Sequence, residues 1–219
     1  MKSLILVRHA EAEHITKKLK GGWTDTQLTS KGRRQAALVA KRLAGDLDGR
    51  CVQIYSSDLV RAYDTALEVA DALKLELGVI RDLREIDIGE ATGMTNSEAE
   101  LIYNPPTDPI LDWEAYPGSE TWREFHARVT RCLDELLRDV KDVAVIVSHS
   151  GTIVNIVNWW LQLDMDDVAR LSYRTHPAGI TVLGTSNLGE RTVERLNDVC
   201  HLVSDGISQE YGNLVNPVK

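Results

Sequence analysis

Four short runs of aliphatic residues recur along the chain. They are long enough for strands, and uninterrupted apolar runs of this length are typical of strands that are buried on both faces of a sheet. The runs cover residues 4–7, 52–55, 143–147 and 180–183. The pattern therefore predicts a central sheet with helices packed on both sides.

Between these runs, apolar residues recur at the three- and four-residue spacing of amphipathic helices. Thr29 is a favoured N-cap residue, so we expect a helix over about 31–43, with Gly45 beyond its end. Further helices are predicted over about 59–73, 122–140 and, following Gly151, 153–161. Strands that alternate with helices indicate an α/β fold, here a three-layer sandwich whose central sheet is mostly parallel.

Two segments depart from this alternation. Residues 86–118 lack a clear period and contain four prolines, which predicts a loop-rich insertion that acts as a lid. Residues 204–219 are polar and are expected to form a loosely docked C-terminal tail. Because no repeat or linker interrupts the rest, residues 1–203 are predicted to form a single domain.

Charge and cysteine content narrow the range of partners. The net charge of −8 argues against a nucleic-acid partner or an anionic membrane, but not against a small phosphorylated metabolite. The apolar run near the N-terminus is too short for a signal peptide or a membrane span. Three widely spaced cysteines suggest reduced thiols and hence a cytoplasmic location. The oligomeric state stays open, a homodimer included.

Polar residues gather just after the predicted strands or at helix starts. These segments are Arg8-His9, 56–61, Arg84-Glu85 and 148–151. Because the carboxyl ends of parallel strands meet at one edge of a sheet, we expect the segments to lie together. Arginine matches phosphate oxygens, histidine can attack phosphorus, and a carboxylic acid can protonate a leaving alkoxide. The sequence therefore predicts an enzyme that acts on a phosphate ester.

Two alternatives remain within these segments. Asp87 and Glu90 lie close enough in sequence to exchange roles with Glu85, and Arg61 has Asp58 or Asp64 as possible ion-pair partners.

Residues 9–14 contain two histidines and two glutamates, which suggests a metal site. That cluster lacks the i, i+4 histidine pair of a helical zinc site, so no metal is expected.

Several motifs resemble those of the histidine phosphatase (phosphoglycerate mutase-like) superfamily. They are Leu6-Val7-Arg8-His9-Ala10-Glu11, 56–66, Leu83-Arg84-Glu85 and Ser148-His149-Ser150-Gly151, together with Gly22-Trp23-Thr24-Asp25 and 117–122. Each motif alone is weak evidence for the family, but the occurrence of all of them in this order is specific. The likeness covers roughly residues 3–185.

The resemblance implies a two-step phosphoryl transfer. His9 would become a phosphohistidine while Glu85, entering in its protonated form, donates a proton to the leaving oxygen. Arg8, Arg61 and His149 would bind the phosphate, with His9 neutral and His149 cationic. No cofactor or metal is expected, because arginines and histidines supply the positive charge.

Departures from the family pattern bear on the substrate. Mutase-like members carry glycine, serine and asparagine where this chain has Ala10, Ala12 and Ile15, and residues 94–116 contain no lysine or arginine. A phosphatase that acts on a small phosphomonoester is therefore favoured. The predicted substrate contacts are Ile15, Gly21, Gly22, Trp23 and Ser150. The alternatives are a cofactor-dependent phosphoglycerate mutase and a non-catalytic phosphoester-binding module.

Overall fold

A six-stranded sheet forms the centre of the computed structural model, which describes residues 3–208. The strands are β1 (Ser3–Arg8), β2 (Val52–Ser56), β3 (Leu77–Val79), β4 (Val143–Ser148), β5 (Ile180–Thr185) and β6 (Arg191–Asp198), in the order β3-β2-β4-β1-β5-β6. Strands β1 to β4 pair in parallel, whereas β5 pairs antiparallel with both β1 and β6. The predicted, mostly parallel sheet is confirmed.

Helices cover both faces of this sheet. They are α1 (Glu13–Thr16), α2 (Ser30–Asp46), α3 (Val60–Leu73), α4 (Asn96–Glu100), α5 (Trp122–Leu136), α6 (Ser150–Leu161), α7 (Met165–Val168) and α8 (Cys200–Ser204). Successive residues of β1 alternate between two cores. Ile5 and Val7 pack with α2 and α3, whereas Leu4 and Leu6 pack with α5 and α6. The three-layer α/β sandwich is therefore confirmed.

Some predicted element boundaries and types were wrong. Gly45 lies inside the last turn of α2, and α5 ends at Leu136 instead of near 140. Strands β3 and β6 were not predicted. β3 has only three residues, and β6 is an edge strand with charged residues along much of its length, so neither shows a continuous apolar run.

The segment 86–118 is loop-rich, as predicted, and holds a small apolar cluster of its own around Ala91, Ala99 and Tyr116. Two main-chain hydrogen bonds tie it to the segment that follows α1. The N–H of Lys20 donates to the carbonyl of Met94 at 2.9 Å, and the N–H of Asn96 donates to the carbonyl of Lys18 at 3.1 Å. Its action as a lid stays a prediction.

The C-terminal segment is held more firmly than expected where the structure describes it. Ser208 is buried, and its hydroxyl accepts a hydrogen bond from the side-chain amide of Gln35 at 3.0 Å. The oxygen of the same amide accepts from the N–H of Glu11 at 2.9 Å, which links Ser208 to the segment after β1. Residues 209–219 of the predicted tail lie outside the described residues. Within 3–208, none of the helices has the length and apolar character needed to cross a membrane.

Gly32 provides a test of how tightly α2 packs on this segment. A methyl group at Gly32 would overlap the Glu11 carbonyl oxygen, whereas one at Gly45 in the same helix would meet nothing within 4 Å. We expect Gly32→Ala to lower the free energy of unfolding by about 1–3 kcal/mol, because backbone must move to admit the methyl group. Gly45→Ala should raise it by about 0.5 kcal/mol through helix propensity. Urea unfolding measures both, and equal effects would contradict this account.

Candidate active site

The carboxyl ends of β1, β2 and β4 lie side by side. In the parallel register, Arg8 is paired with Ser148 and Ser56 with Val147. The polar segments that follow these three strands therefore emerge at one edge of the sheet. This edge is where ligands bind in open α/β sheets.

His9 is held in one tautomer. Its ring is 2% exposed, and its Nδ1 lies 2.8 Å from the carbonyl oxygen of Ala10. Because a carbonyl oxygen can only accept, Nδ1 carries the proton and Nε2 keeps its lone pair. Burial, followed by the charges of Arg61, His149 and Arg8, holds the pKa of His9 well below its usual 6.5. His9 is thus neutral and nucleophilic at Nε2, as a phosphoryl acceptor must be.

Arg61 is the main cation of the site and is almost completely buried. One terminal nitrogen donates to the Thr24 carbonyl and the other to the Gly22 carbonyl, each at 2.7 Å. Each nitrogen carries a second N–H group, which can donate a hydrogen bond to a phosphate oxygen. Burial lowers the pKa of Arg61 to about 10, so the group stays charged at neutral pH. The alternative ion pair with Asp58 is not formed, because Asp58 pairs with Arg84 at 2.7 Å.

Arg8 and Ser150 both reach the loop that carries Thr175. The Arg8 guanidinium donates to the Thr175 carbonyl at 2.6 Å, and the Ser150 hydroxyl lies 2.9 Å from the Thr175 hydroxyl. Thr175 precedes β5, so the antiparallel half of the sheet also helps to fix the site.

His149 is fully buried beside the nucleophile. Its ring centroid lies 5.2 Å from that of His9, and its Nε2 lies 2.9 Å from the Ser57 hydroxyl. Burial and the charges of Arg61 and Arg8 lower its pKa far below the usual value, so the ring is neutral before a phosphate binds. The expected cationic state is therefore not the resting state. A bound phosphate dianion would favour the charged form.

Glu85 is positioned by main-chain groups at both ends. Its Oε2 accepts from the N–H of Gly151 at 2.9 Å, and its Oε1 accepts from the N–H of Ile86 at 3.0 Å. A Cβ at Gly151 would overlap Oε1, so a side chain at this position would displace the Glu85 carboxylate. The indole N–H of Trp23 donates to the Glu85 carbonyl at 2.8 Å, and Arg128 donates to the same oxygen at 3.1 Å.

A cavity of about 360 Å³ opens over these groups. Its walls are Arg8, His9, His14, Ile15, Lys18, Leu19, Gly21, Gly22, Arg61, Glu85 and Asn96. Glu85 is the carboxylate among them, so the structure favours it over Asp87 and Glu90. Trp23 does not line the cavity. Its ring lies beneath the guanidinium groups of Arg81 and Arg84, at 5.1 and 4.9 Å, and its indole N–H helps to position Glu85. Its contact with substrate stays a prediction.

Sequence reasoning missed His14, Lys18 and Asn96 as cavity residues. His14 is buried, its ring centroid lies 5.6 Å from that of His9, and its Nδ1 lies 3.0 Å from the Thr26 hydroxyl. Burial, then Arg61 and Arg8, lowers the pKa of His14 to about 4. The signal that could have found it is its place in the segment directly after the strand that delivers His9.

The suggested metal cluster does not assemble. Glu11 accepts a hydrogen bond from Thr29 at 2.7 Å, and Glu13 pairs with Lys17 at 2.9 Å. Throughout 3–208, no group of three or more potential metal ligands comes together.

The chain is similar to known phosphatases in sequence and in fold. A family model for the histidine phosphatase superfamily (branch 1) matches residues 4–199. The putative phosphoserine phosphatase 2 of Hydrogenobacter thermophilus is 33% identical over 207 residues, which cover 92% of this chain and 98% of the relative. Phosphoserine phosphatase 1 of that organism is 35% identical over 214 residues, covering 92% and 95%. A solved mycobacterial glucosyl-3-phosphoglycerate phosphatase with VO3 has a TM-score of 0.75 at 25% identity, covering 90% and 99%.

Three buried histidines of the cavity region link the site to pH-dependent stability. In the unfolded chain His9, His14 and His149 regain a pKa near 6.5, whereas in the folded chain all three values are lower. Above pH 6.5 neither state binds these protons. Below it, the unfolded chain binds protons that the folded chain does not, so the free energy of unfolding falls by roughly 1 kcal/mol per pH unit for each histidine.

We therefore expect the urea concentration at the midpoint of unfolding to decrease as the pH is lowered from 7 to 5, in a buffer without phosphate. His9→Asn removes one of the three groups, so its stability should depend less steeply on pH. Equal slopes for His9→Asn and the unaltered chain would contradict this assignment.

Proposed function

This chain belongs to the histidine phosphatase superfamily, and we propose that it hydrolyses a small phosphomonoester through a phosphohistidine on Nε2 of His9. Its activity is that of a phosphoric monoester hydrolase. The observation that carries the residue assignment is the hydrogen bond from Nδ1 of His9 to the Ala10 carbonyl. That bond leaves Nε2 as a free nucleophile in the same cavity as Arg8 and Arg61.

The first step transfers the phosphoryl group to the protein. Nε2 of His9 attacks phosphorus in line, the P–N bond forms, and the bond to the ester oxygen breaks. Glu85, as the carboxylic acid, gives its proton to that oxygen, and the alcohol leaves. Arg8 and Arg61 bind the phosphoryl oxygens, over which negative charge spreads in the transition state.

The second step regenerates the enzyme. Water attacks the phosphohistidine, Glu85 now accepts a proton from that water, and the P–N bond breaks to release inorganic phosphate. His149, neutral before the phosphate dianion binds, takes up a proton when it binds, which places a third cation against the phosphate. The enzyme therefore needs neither a metal ion nor a cofactor in this scheme.

The glycines that precede Trp23 offer main-chain donors to the substrate. The carbonyl of Gly21 accepts from the N–H of Thr24, and the carbonyl of Gly22 accepts from Arg61. Both glycines line the cavity, so their N–H groups are candidate donors to a substrate oxygen. Ile15 adds apolar surface to the same cavity.

A hydrolase is favoured over the cofactor-dependent mutase. Residues 94–116 contain no lysine or arginine, so the insertion brings no cation to hold a bisphosphate. Adding 2,3-bisphosphoglycerate and a monophosphoglycerate separates the two, because a mutase interconverts phosphoglycerates without net release of phosphate. We further propose a cytoplasmic enzyme, since Cys51, Cys132 and Cys200 are all free thiols.

Trapping the intermediate tests the nucleophile. A rapid alkaline quench of the reaction with a ³²P-labelled phosphomonoester should leave the label on the protein. Later acidification should release it, because a phosphoramidate is stable in alkali and labile in acid. His9→Ala should abolish the label and lower kcat roughly a thousandfold or more. A label that persists in His9→Ala would contradict His9, and the absence of any label and of phosphate release would favour the binding module.

Glu85→Gln tests the proton donor, with Glu90→Gln as its control, since the Glu90 side chain does not line the cavity. Loss of a general acid costs about 10²–10⁴ in kcat for an alkyl phosphate. The loss should be much smaller for p-nitrophenyl phosphate, whose leaving group needs no proton. Steady-state kinetics on both esters provide the measurement. Equal losses on both, or an equal loss in Glu90→Gln, would remove Glu85 from this role.

A further inference from the structure

The cavity contains one cation that phosphate transfer does not use. Lys18 lines the same cavity as His9 and Glu85, on the segment between α1 and Gly21. Its neighbours are engaged elsewhere. Lys17 pairs with Glu13 at 2.9 Å, and the Lys20 ammonium lies 5.3 Å from the centroid of the Tyr116 ring. Within the part of the chain that the structure describes, the Lys18 ammonium has no hydrogen bond or ion pair.

The backbone holds Lys18 in an unfavourable conformation beside the insertion. Its φ of 56° lies in the left-handed region, which costs a non-glycine residue free energy and persists only where surrounding contacts enforce it. Those contacts are present. The Lys18 carbonyl accepts from the N–H of Asn96, and Leu19 forms an antiparallel bridge with Thr95. Lys18 and Asn96 are therefore fixed together on the wall of the cavity.

The charges of the cavity define what Lys18 can bind. Arg8 and Arg61 flank the nucleophile, and His14 is neutral, with its pKa lowered to about 4 by burial. The carboxylate on the cavity wall, Glu85, accepts hydrogen bonds from two main-chain N–H groups. Lys18 is thus available to an anionic group of the ligand, and Asn96 can add an amide N–H to the same group.

We propose that Lys18, together with Asn96, binds a carboxylate at the non-phosphate end of the substrate. The substrate class is then the phosphomonoesters of small carboxylic acids. This inference rests on the proposed function, because it assigns the second end of the same substrate. In this proposal, the cation that residues 94–116 lack is supplied by the segment after α1.

Two matched pairs of esters test the inference. In the first pair, 3-phosphoglycerate carries a carboxylate where glycerol 3-phosphate carries a hydroxymethyl group. In the second pair, phosphoserine carries a carboxylate that phosphoethanolamine lacks. In at least one pair, kcat/KM should be about tenfold or more higher for the carboxylated ester, the usual effect of a charge-assisted hydrogen bond. Lys18→Met should remove most of this preference, chiefly by raising KM.

Two further variants separate charge from structure. Lys17→Met neutralises the adjacent lysine, which pairs with Glu13, and should leave the preference unchanged. Lys18→Arg keeps the cation and should retain most of it. Because Lys, Met and Arg all carry a Cβ, these substitutions do not alter the backbone cost at φ 56°.

The outcomes distinguish this inference from the proposed function. A preference that is absent from the unaltered enzyme, or that survives in Lys18→Met, overturns the carboxylate site and leaves the phosphatase in place. Failure to hydrolyse any phosphomonoester, with no label on His9, overturns the phosphatase and this inference together.

Discussion

The site depends on the burial of one guanidinium group, that of Arg61. Arg61 is 1% exposed, and its hydrogen bonds go to two main-chain carbonyls. Burial is the largest cause of the lowered pKa of His9, His14 and His149, and the positive charge of Arg61 is the next. Burial and this cation together keep three histidines neutral, so the site combines a buried positive charge with neutral imidazoles, which favours the entry of a dianion.

Much of the fold could be predicted because burial leaves a pattern in the sequence. Residues 4–7 and 143–147 form the two central strands, β1 and β4, and both faces of each are covered, so each reads as an unbroken apolar run. The Thr29 N-cap was also predicted correctly. β6 was missed because an edge strand needs no such run, and Gly45 was misjudged because a helix tolerates glycine in its final turn.

Some residues of the candidate site could likewise be predicted from the strand pattern, and others could not. Arg8 ends β1, and His9 and His149 directly follow β1 and β4, so the strand pattern was enough to place them together. The position of Trp23 depends on the path of a loop and on a contact with the Glu85 carbonyl, 62 residues away. The position of Lys18 on the cavity wall depends on the pairing of its segment with the insertion. Neither relationship leaves a periodic trace in the sequence, so the positions of Trp23 and Lys18 could be found only from the structure.

The contact between Glu85 and the start of α6 makes one group of the backbone sensitive to the chemistry. The N–H of Gly151 donates to Oε2 of Glu85, and the carboxyl group lies in the space that a Cβ at position 151 would fill. In the proposed mechanism, the strength of this bond changes whenever Glu85 gives up or regains its proton. In that mechanism, the amide resonance of Gly151 reports, from within the protein itself, which half of the catalytic cycle the enzyme occupies.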